Sequence, residues 1–247
     1  MSIFKHRSLA ASLLAAVLLL ATSASAQAVY TAGHGDIGVE YEDGAFLPHW
    51  HIHSGGTVDA SVLGSDGEYE PGDLVARVET TSTVSNSGVA SALGVSTGAT
   101  VFRTGITAYP PNLGFGLEEL SVGDWQDDTI TISLTGFSGP GEVALSQTIS
   151  GFGTFVWFSS VSGGFTVTNN AWNFAVGGHQ HLDWFFTEAG YHELTFSWTG
   201  THLTEGLVTG SGTFGFQVGA IPEPSVFALL AGVASLGLVV LRRSRRV

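Results

Sequence analysis

The sequence predicts an all-β ectodomain, an antiparallel β-sandwich or jelly roll, between an N-terminal signal helix and a C-terminal transmembrane sorting helix. Three observations carry that prediction. Stretches such as Thr129-Ile130-Thr131-Ile132-Ser133-Leu134 and His192 to Trp198 alternate apolar and polar residues with period two, as half-buried strands do. Glycine is abundant, 34 residues in 247, and sits between such runs, with Asp43-Gly44, Asp66-Gly67 and Pro71-Gly72 as turn formers. Turn signals spaced ~8–12 residues apart favour many short strands in packed sheets. No helical periodicity is evident between residues 29 and 221. Ser82 to Thr100, uncharged and rich in small residues, reads as a long loop or weak strand.

The two ends read as addresses. Lys5, His6 and Arg7 precede a wholly apolar run from Leu13 to Ala21. Two overlapping small-residue patterns follow, Ala24-Ser25-Ala26 and Ala26-Gln27-Ala28. That order is the signature of a secretory signal peptide over residues 1–28, to be removed by signal peptidase. At the other end, Pro222-Glu223-Pro224 precedes an apolar run from Ser225 to Leu241, and Arg242, Arg243, Arg245 and Arg246 close the chain. Seventeen residues form roughly 25 Å of helix, enough to cross a hydrocarbon core of about 30 Å with local thinning. The arginines then stay cytoplasmic. Between these segments, residues 29–220 form one β domain with no clean internal boundary.

The tail, with its Pro222-Glu223-Pro224 motif, apolar helix and arginine cluster, resembles the PEP-CTERM sorting segment. Such segments are typical of exopolysaccharide-producing Gram-negative bacteria. The resemblance covers about a tenth of the chain. It implies an exosortase as partner, membrane tethering through residues 221–247 before processing, and delivery to the cell surface or extracellular matrix.

The charge of the body is lopsided. Once the two ends are set aside, only Arg77 and Arg103 remain of eight basic residues, against 20 of the 21 acids, a net charge of 2 − 20 = −18. Nucleic acid is excluded as a partner, because phosphate binding depends on Lys and Arg. An acidic surface attracts cations and equally serves solubility. The chain contains no cysteine, which rules out disulfides, thiolate zinc sites and cysteine nucleophiles. Any metal must therefore be held by His, Asp and Glu.

The histidines fall into two groups, Gly33-His34-Gly35-Asp36 with His49-Trp50-His51-Ile52-His53, and Gly178-His179-Gln180-His181, with His192 and His202 beyond. None lies between Ser54 and Gly178. On a strand, residues two apart point the same way. His49, His51 and His53 then line one face, leaving Trp50 and Ile52 for the core, and His179 and His181 form a second pair. Imidazoles so paired can share one divalent ion, Zn²⁺ or another metal suited to imidazole. The metal-ligand candidates are His34, Asp36, His49, His51, His53, His179 and His181, with His192 and His202 weaker.

The segment from Gly178 to Phe196 resembles the G-H-x-H-x-[ND]-W-x-F-[ST]-x-x-G-x-Y repeat of the choice-of-anchor M family of surface-anchored bacterial proteins. Gly33-His34-Gly35-Asp36-Ile37-Gly38-Val39 resembles that family's opening segment. The resemblance spans most of residues 31–200, though its middle contributes little. It implies an extracytoplasmic β domain encoded near metal-transport systems, including zinc-regulated ones, with His34, Asp36, His179 and His181 as zinc-binding positions. The triplet His49, His51 and His53 departs from the family pattern, enlarging the site or forming a second one. Asp183 stands where the family commonly has Asn.

Catalysis is not expected. His51-Ile52-His53 resembles the cupin H-x-H, but the following glutamate is replaced by Ser54-Gly55-Gly56-Thr57-Val58. It also resembles the H-x-H of copper–zinc superoxide dismutases, whose disulfide cysteines are missing here. No G-x-S-x-G, H-E-x-x-H or phosphate loop occurs. The sequence is thus expected to specify an exported zinc binder, a scavenger or store linked to a metal-uptake system. The alternative is a structural or exopolysaccharide-binding matrix protein, suggested by Trp157, Phe158, Trp172, Trp184 and Trp198.

Overall fold

Eighteen strands, one short helix and a 3₁₀ turn make up residues 27–161 and 170–220 of the computed structural model, the part of the chain described here. The sorting segment lies outside these residues, as does the signal peptide apart from Gln27 and Ala28. In chain order the first strands are β1 (Ala28–Ala32), β2 (His34–Glu42), β3 (Ala45–Ile52), β4 (Thr57–Val58), β5 (Ser61–Val62) and β6 (Gly67–Tyr69). Next come β7 (Leu74–Val78), β8 (Thr81–Thr83), helix α1 (Ser87–Ala92), β9 (Thr100–Thr104), β10 (Asn112–Gly116), β11 (Thr129–Ser138) and β12 (Val143–Ile149). The last are β13 (Gly153–Ser159), β14 (Ala171–Ala175), β15 (His179–His181), β16 (Asp183–Phe186), β17 (Gly190–His202) and β18 (Gly206–Val218).

They form three sheets, ordered β14-β11-β17-β18-β7-β1-β4-β5, β15-β10-β2-β3-β6 and β13-β12-β16-β9-β8. The predicted alternation is realised in β17, where His192, Leu194, Phe196 and Trp198 are buried while Glu193, Thr195 and Ser197 are partly exposed. Ile130, Ile132 and Leu134 do the same in β11. Aromatic residues join the sheets into one core. Phe115 of β10 meets Phe158, Phe174, Trp184 and Phe196 at centroid distances of 5.0–5.9 Å. Trp50 of β3 meets Phe214 of β18 at 5.1 Å, so the largest sheet packs against both smaller ones.

Two expectations change. The sheets are mixed rather than purely antiparallel: β1–β7, β7–β18 and β2–β10 run parallel. Parallel neighbours are joined by long connections rather than hairpins, so no local turn signal announces them. The Ser82–Thr100 segment contains α1, six residues long and too short for a periodic pattern. Asn86 caps it, its side chain accepting from the amides of Gly88 and Val89 at 2.9 and 3.1 Å. Val89, Ala90 and Leu93 then bury themselves with Val84, Val101, Ala144 and Phe185 in a small second core. Packing, not propensity, makes this helix.

The hairpin of β2 and β3 carries five of the clustered histidines and acids on or just beyond its strands, so its register decides where they stand. Its loop is the two residues Asp43 and Gly44, both with positive φ (49° and 82°), the backbone of a type I′ turn that the Asp-Gly dipeptide favours. That turn pairs Glu42 with Ala45 and so fixes every pair further along the ladder, Gly38 with His49 and Asp36 with His51 among them.

Phe196 is fully buried among five aromatic rings. Phe196→Ala is expected to cost about 3–5 kcal/mol, read as a fall in the urea midpoint of unfolding at unchanged slope.

Candidate metal centre

The sheet β15-β10-β2-β3-β6 has one face in the core and one carrying the histidines. Alternation along β3 buries Trp50 and Ile52 completely and sends His49 and His51 to the other side, with His53 just past the strand end. Along β2 the same parity sends Ile37 and Val39 inward and His34 and Asp36 to the histidine face. His34 and His53 are neighbours across the strand ends, where the His53 amide donates to the His34 carbonyl at 3.0 Å.

The two histidine groups lie on strands that are not adjacent: β10 separates β15 from β2. Contact across it is possible because β10 presents Gly114 and Gly116 on this face. Gly114 pairs with His181 on one side and Asp36 on the other, and Gly116 pairs with His179. A Cβ on Gly114 would lie 2.4 Å from the Gln180 carbonyl oxygen and 2.9 Å from Asp36 Oδ1. Gly38 plays a similar part under His49, whose Nε2 would lie 2.8 Å from an added Cβ. Glycine here provides a floor over which neighbouring side chains lean together.

Six imidazoles and four carboxylates occupy this face. His34 stacks on His53 at 4.2 Å between ring centroids, and His53 on His51 at 4.5 Å. His34 Nε2 faces His181 Nε2 at 2.9 Å and Asp36 Oδ2 at 3.3 Å, while His53 Nε2 lies 3.1 Å from the same carboxylate oxygen. Asp36 is only 1 % exposed, and its Oδ1 has no hydrogen-bond partner. His179 Nδ1 sits 2.6 Å from Glu118 Oε1. A carboxylate only accepts, so Nδ1 carries the proton and Nε2 keeps its lone pair. At the other end Glu119 Oε1 lies 3.0 Å from His49 Nε2 and 3.1 Å from His51 Nδ1. Asp66 Oδ2 lies 3.5 Å from His51 Nε2 and 3.6 Å from His53 Nδ1.

Four groups of three on this face could hold a metal ion, their ligand atoms within 4.8 Å of one another: His34-His179-His181, His34-Asp36-His53, His49-His51-Glu119 and His51-His53-Asp66. The donor set fits a borderline ion. Tetrahedral coordination at ~2.0–2.1 Å puts donors ~3.3 Å apart, close to the spacings found here.

All seven residues expected from the sequence meet on this face. His192 and His202 do not. His192 is fully buried, with Nε2 2.8 Å from the Pro140 carbonyl and Nδ1 3.1 Å from that of Gly190, and His202 stacks on Tyr41. Asp183, within the H-x-H segment, serves β16: Arg103 donates to its Oδ1 through Nε at 2.9 Å and through a terminal nitrogen at 2.7 Å. Three acids were missed. Asp66 carried a signal only as a turn former, and its Oδ1 does accept from the Ser54 amide at 2.7 Å. Glu118 and Glu119 follow β10 in the histidine-free middle, where spacing gave no cue.

The electrostatics reflect burial and partners. The hydrogen bond to Asp36 raises the pKa of His34 despite partial burial. Burial opposes ionisation of Asp36, yet the bonds to His34 and His53 and the nearby His181 leave its pKa below the usual carboxylate value. Burial lowers the pKa of His181, outweighing the attraction of Asp36. Burial would also lower that of His49, but Glu119 reverses the sign and raises it. Glu119, bonded to His49, is lowered in turn.

In the metal-free protein, His34 and His49 are expected to titrate above 6.5, and His181 and His192 below it. Imidazole Hε1 shifts followed by NMR check this ordering. In Glu119→Gln the burial of His49 is opposed only by the Leu47 carbonyl and Glu68, and its titration is expected to move down from the wild-type position. Comparison of the chain with protein-family models, curated proteins and solved structures found no match.

Proposed function

We propose that this protein is a non-catalytic, exported surface protein that binds a divalent metal, zinc first, as a scavenger or store linked to metal uptake. The observation that carries the reading is Asp36. A carboxylate 1 % exposed, with one oxygen unpartnered and the other between His34 and His53, is costly to bury. A cation among its imidazole neighbours offsets that cost. Glu118, which orients His179, supports the reading too, since carboxylates commonly fix the tautomer of metal-binding histidines.

In this reading His34, His179 and His181 ligate with Asp36 beside them, and the resemblance to the choice-of-anchor M family points to the same four residues. Bound zinc supplies a fixed positive charge that lets several neutral imidazoles and a buried carboxylate coexist. The proposed route is export by the N-terminal signal, tethering through residues 221–247, and exosortase processing at Pro222-Glu223-Pro224. It ends at the cell surface or in the extracellular matrix. Ala28 belongs to β1, where its amide donates to the Asp73 carbonyl at 2.8 Å, and the Gln27 side chain donates to the Gly72 carbonyl. Of the two small-residue patterns, the one ending at Ala26 leaves this strand whole.

A matrix role is favoured by one feature. Trp157 and Trp172 stack at 4.7 Å with rings 10° from parallel, and Trp172 is 41 % exposed, a geometry suited to a sugar ring. Retention on exopolysaccharide that survives chelator and is lost in Trp172→Ala would establish it.

Equilibrium dialysis against micromolar Zn²⁺ with elemental analysis tests the metal reading. Zinc is expected in the wild-type protein, and Glu118→Gln should weaken it about 10–100-fold. No zinc in the wild type would sink the proposal. Intact-mass analysis of the secreted protein is expected to place the mature N-terminus at Gln27.

A further inference from the structure

The four ligand groups cannot all be filled at once. His34-His179-His181 and His49-His51-Glu119 have no residue in common. Each of the other two draws on one of these: His34-Asp36-His53 needs His34, and His51-His53-Asp66 needs His51. With three protein ligands per ion, at most two of these groups among the described residues can be filled together. We infer that it is a two-ion site, the second ion being held by His49, His51 and Glu119, two imidazoles and a carboxylate suited to Zn²⁺ or a similar divalent metal. This rests on the metal-binding reading and gives it a stoichiometry.

The geometry at Glu119 supports the second site independently of the first. His49 Nδ1 lies 3.2 Å from the Leu47 carbonyl and its Nε2 3.0 Å from Glu119 Oε1. Both neighbours only accept, so a neutral His49 can donate to one of them and turns a lone pair to the other. A divalent ion held between His49 and Glu119 would also reach His51, whose Nδ1 lies 3.1 Å from the same oxygen. The turn at Asp43-Gly44 holds His49 and His51 in register, and the absence of a side chain at Gly38 gives the His49 ring its place.

An acidic cleft also adjoins the second site. An open cleft of about 600 Å³ adjoins His49, and Glu40, Glu68, Glu70 and Asp73 are among its walls. Four carboxylates around one mouth raise the local concentration of cations. Glu68 stands directly opposite His51 on β6, at the mouth of the second site rather than the first. Two imidazoles and one carboxylate leave coordination positions open. The three imidazoles of the first group leave a position open in the same way.

The test is zinc stoichiometry of the full chain, by titration with Zn²⁺ against a competing chelator and by elemental analysis after dialysis. Two zinc ions per wild-type chain are expected. Glu119→Gln and His49→Ala should each bind one. The double variant His179→Ala with His181→Ala should also bind one. The ion retained in each variant shows that the variant is folded. One ion in the wild type, or loss of both from Glu119→Gln with unchanged circular dichroism, would overturn the two-ion arrangement, and two ions in Glu119→Gln would overturn the assignment to Glu119; each leaves metal binding by the wild type intact. No ion in the wild type would overturn both readings together.

Discussion

The histidine face depends on the register of a single hairpin. Asp43 and Gly44 close β2 onto β3 with two residues, and the resulting pairing puts Asp36 beside His51 and Gly38 beside His49. Side chains alternate across a strand, so a slip of one residue would turn Trp50 and Ile52 to solvent and drive the imidazoles into the core. Burying Trp50 against Phe214 and Phe216 opposes that slip. The site therefore owes its register to the apolar side of the same two strands, and polar chemistry on one face is set by packing on the other.

Around this hairpin the sheet brings distant segments together. β10 enters parallel to β2, and β15 pairs along its far side. An ordinary residue at position 114 would hold β15 and Asp36 apart, as the clash of an added Cβ with the Gln180 carbonyl shows. Glycine costs conformational entropy in a strand, and here the return is contact between His181 and His34 across an intervening strand. The same strand is pinned from below by Phe115 among four aromatic rings, so its backbone is held although its upper face is bare.

Much of this was legible in the sequence. Period-two alternation gave β11 and β17, and the Asp-Gly dipeptide gave the turn of β2 and β3. Two H-x-H pairs and Gly33-His34-Gly35-Asp36 gave the seven candidate ligands that share the face. What escaped were contacts without local periodicity. Asp66 lies in a turn whose chemistry reads the same whether or not a histidine faces it. Glu118 and Glu119 reach the site only because β10 lies beside β2, a parallel pairing that no adjacent turn foretells. Helix α1 escaped because six small residues form a helix only when a neighbouring sheet buries them.

By itself, the sequence determined the β character of the body, its acidity, the lack of thiol ligands and which face of each strand is polar. These come from composition and from a two-residue period that is local. The tertiary structure alone decided which polar faces meet, that His34 and His181 come within 2.9 Å, and that Glu119 joins His49. Those juxtapositions depend on strand order and on glycine at 114 and 116, which are properties of the assembled sheet rather than of any one segment.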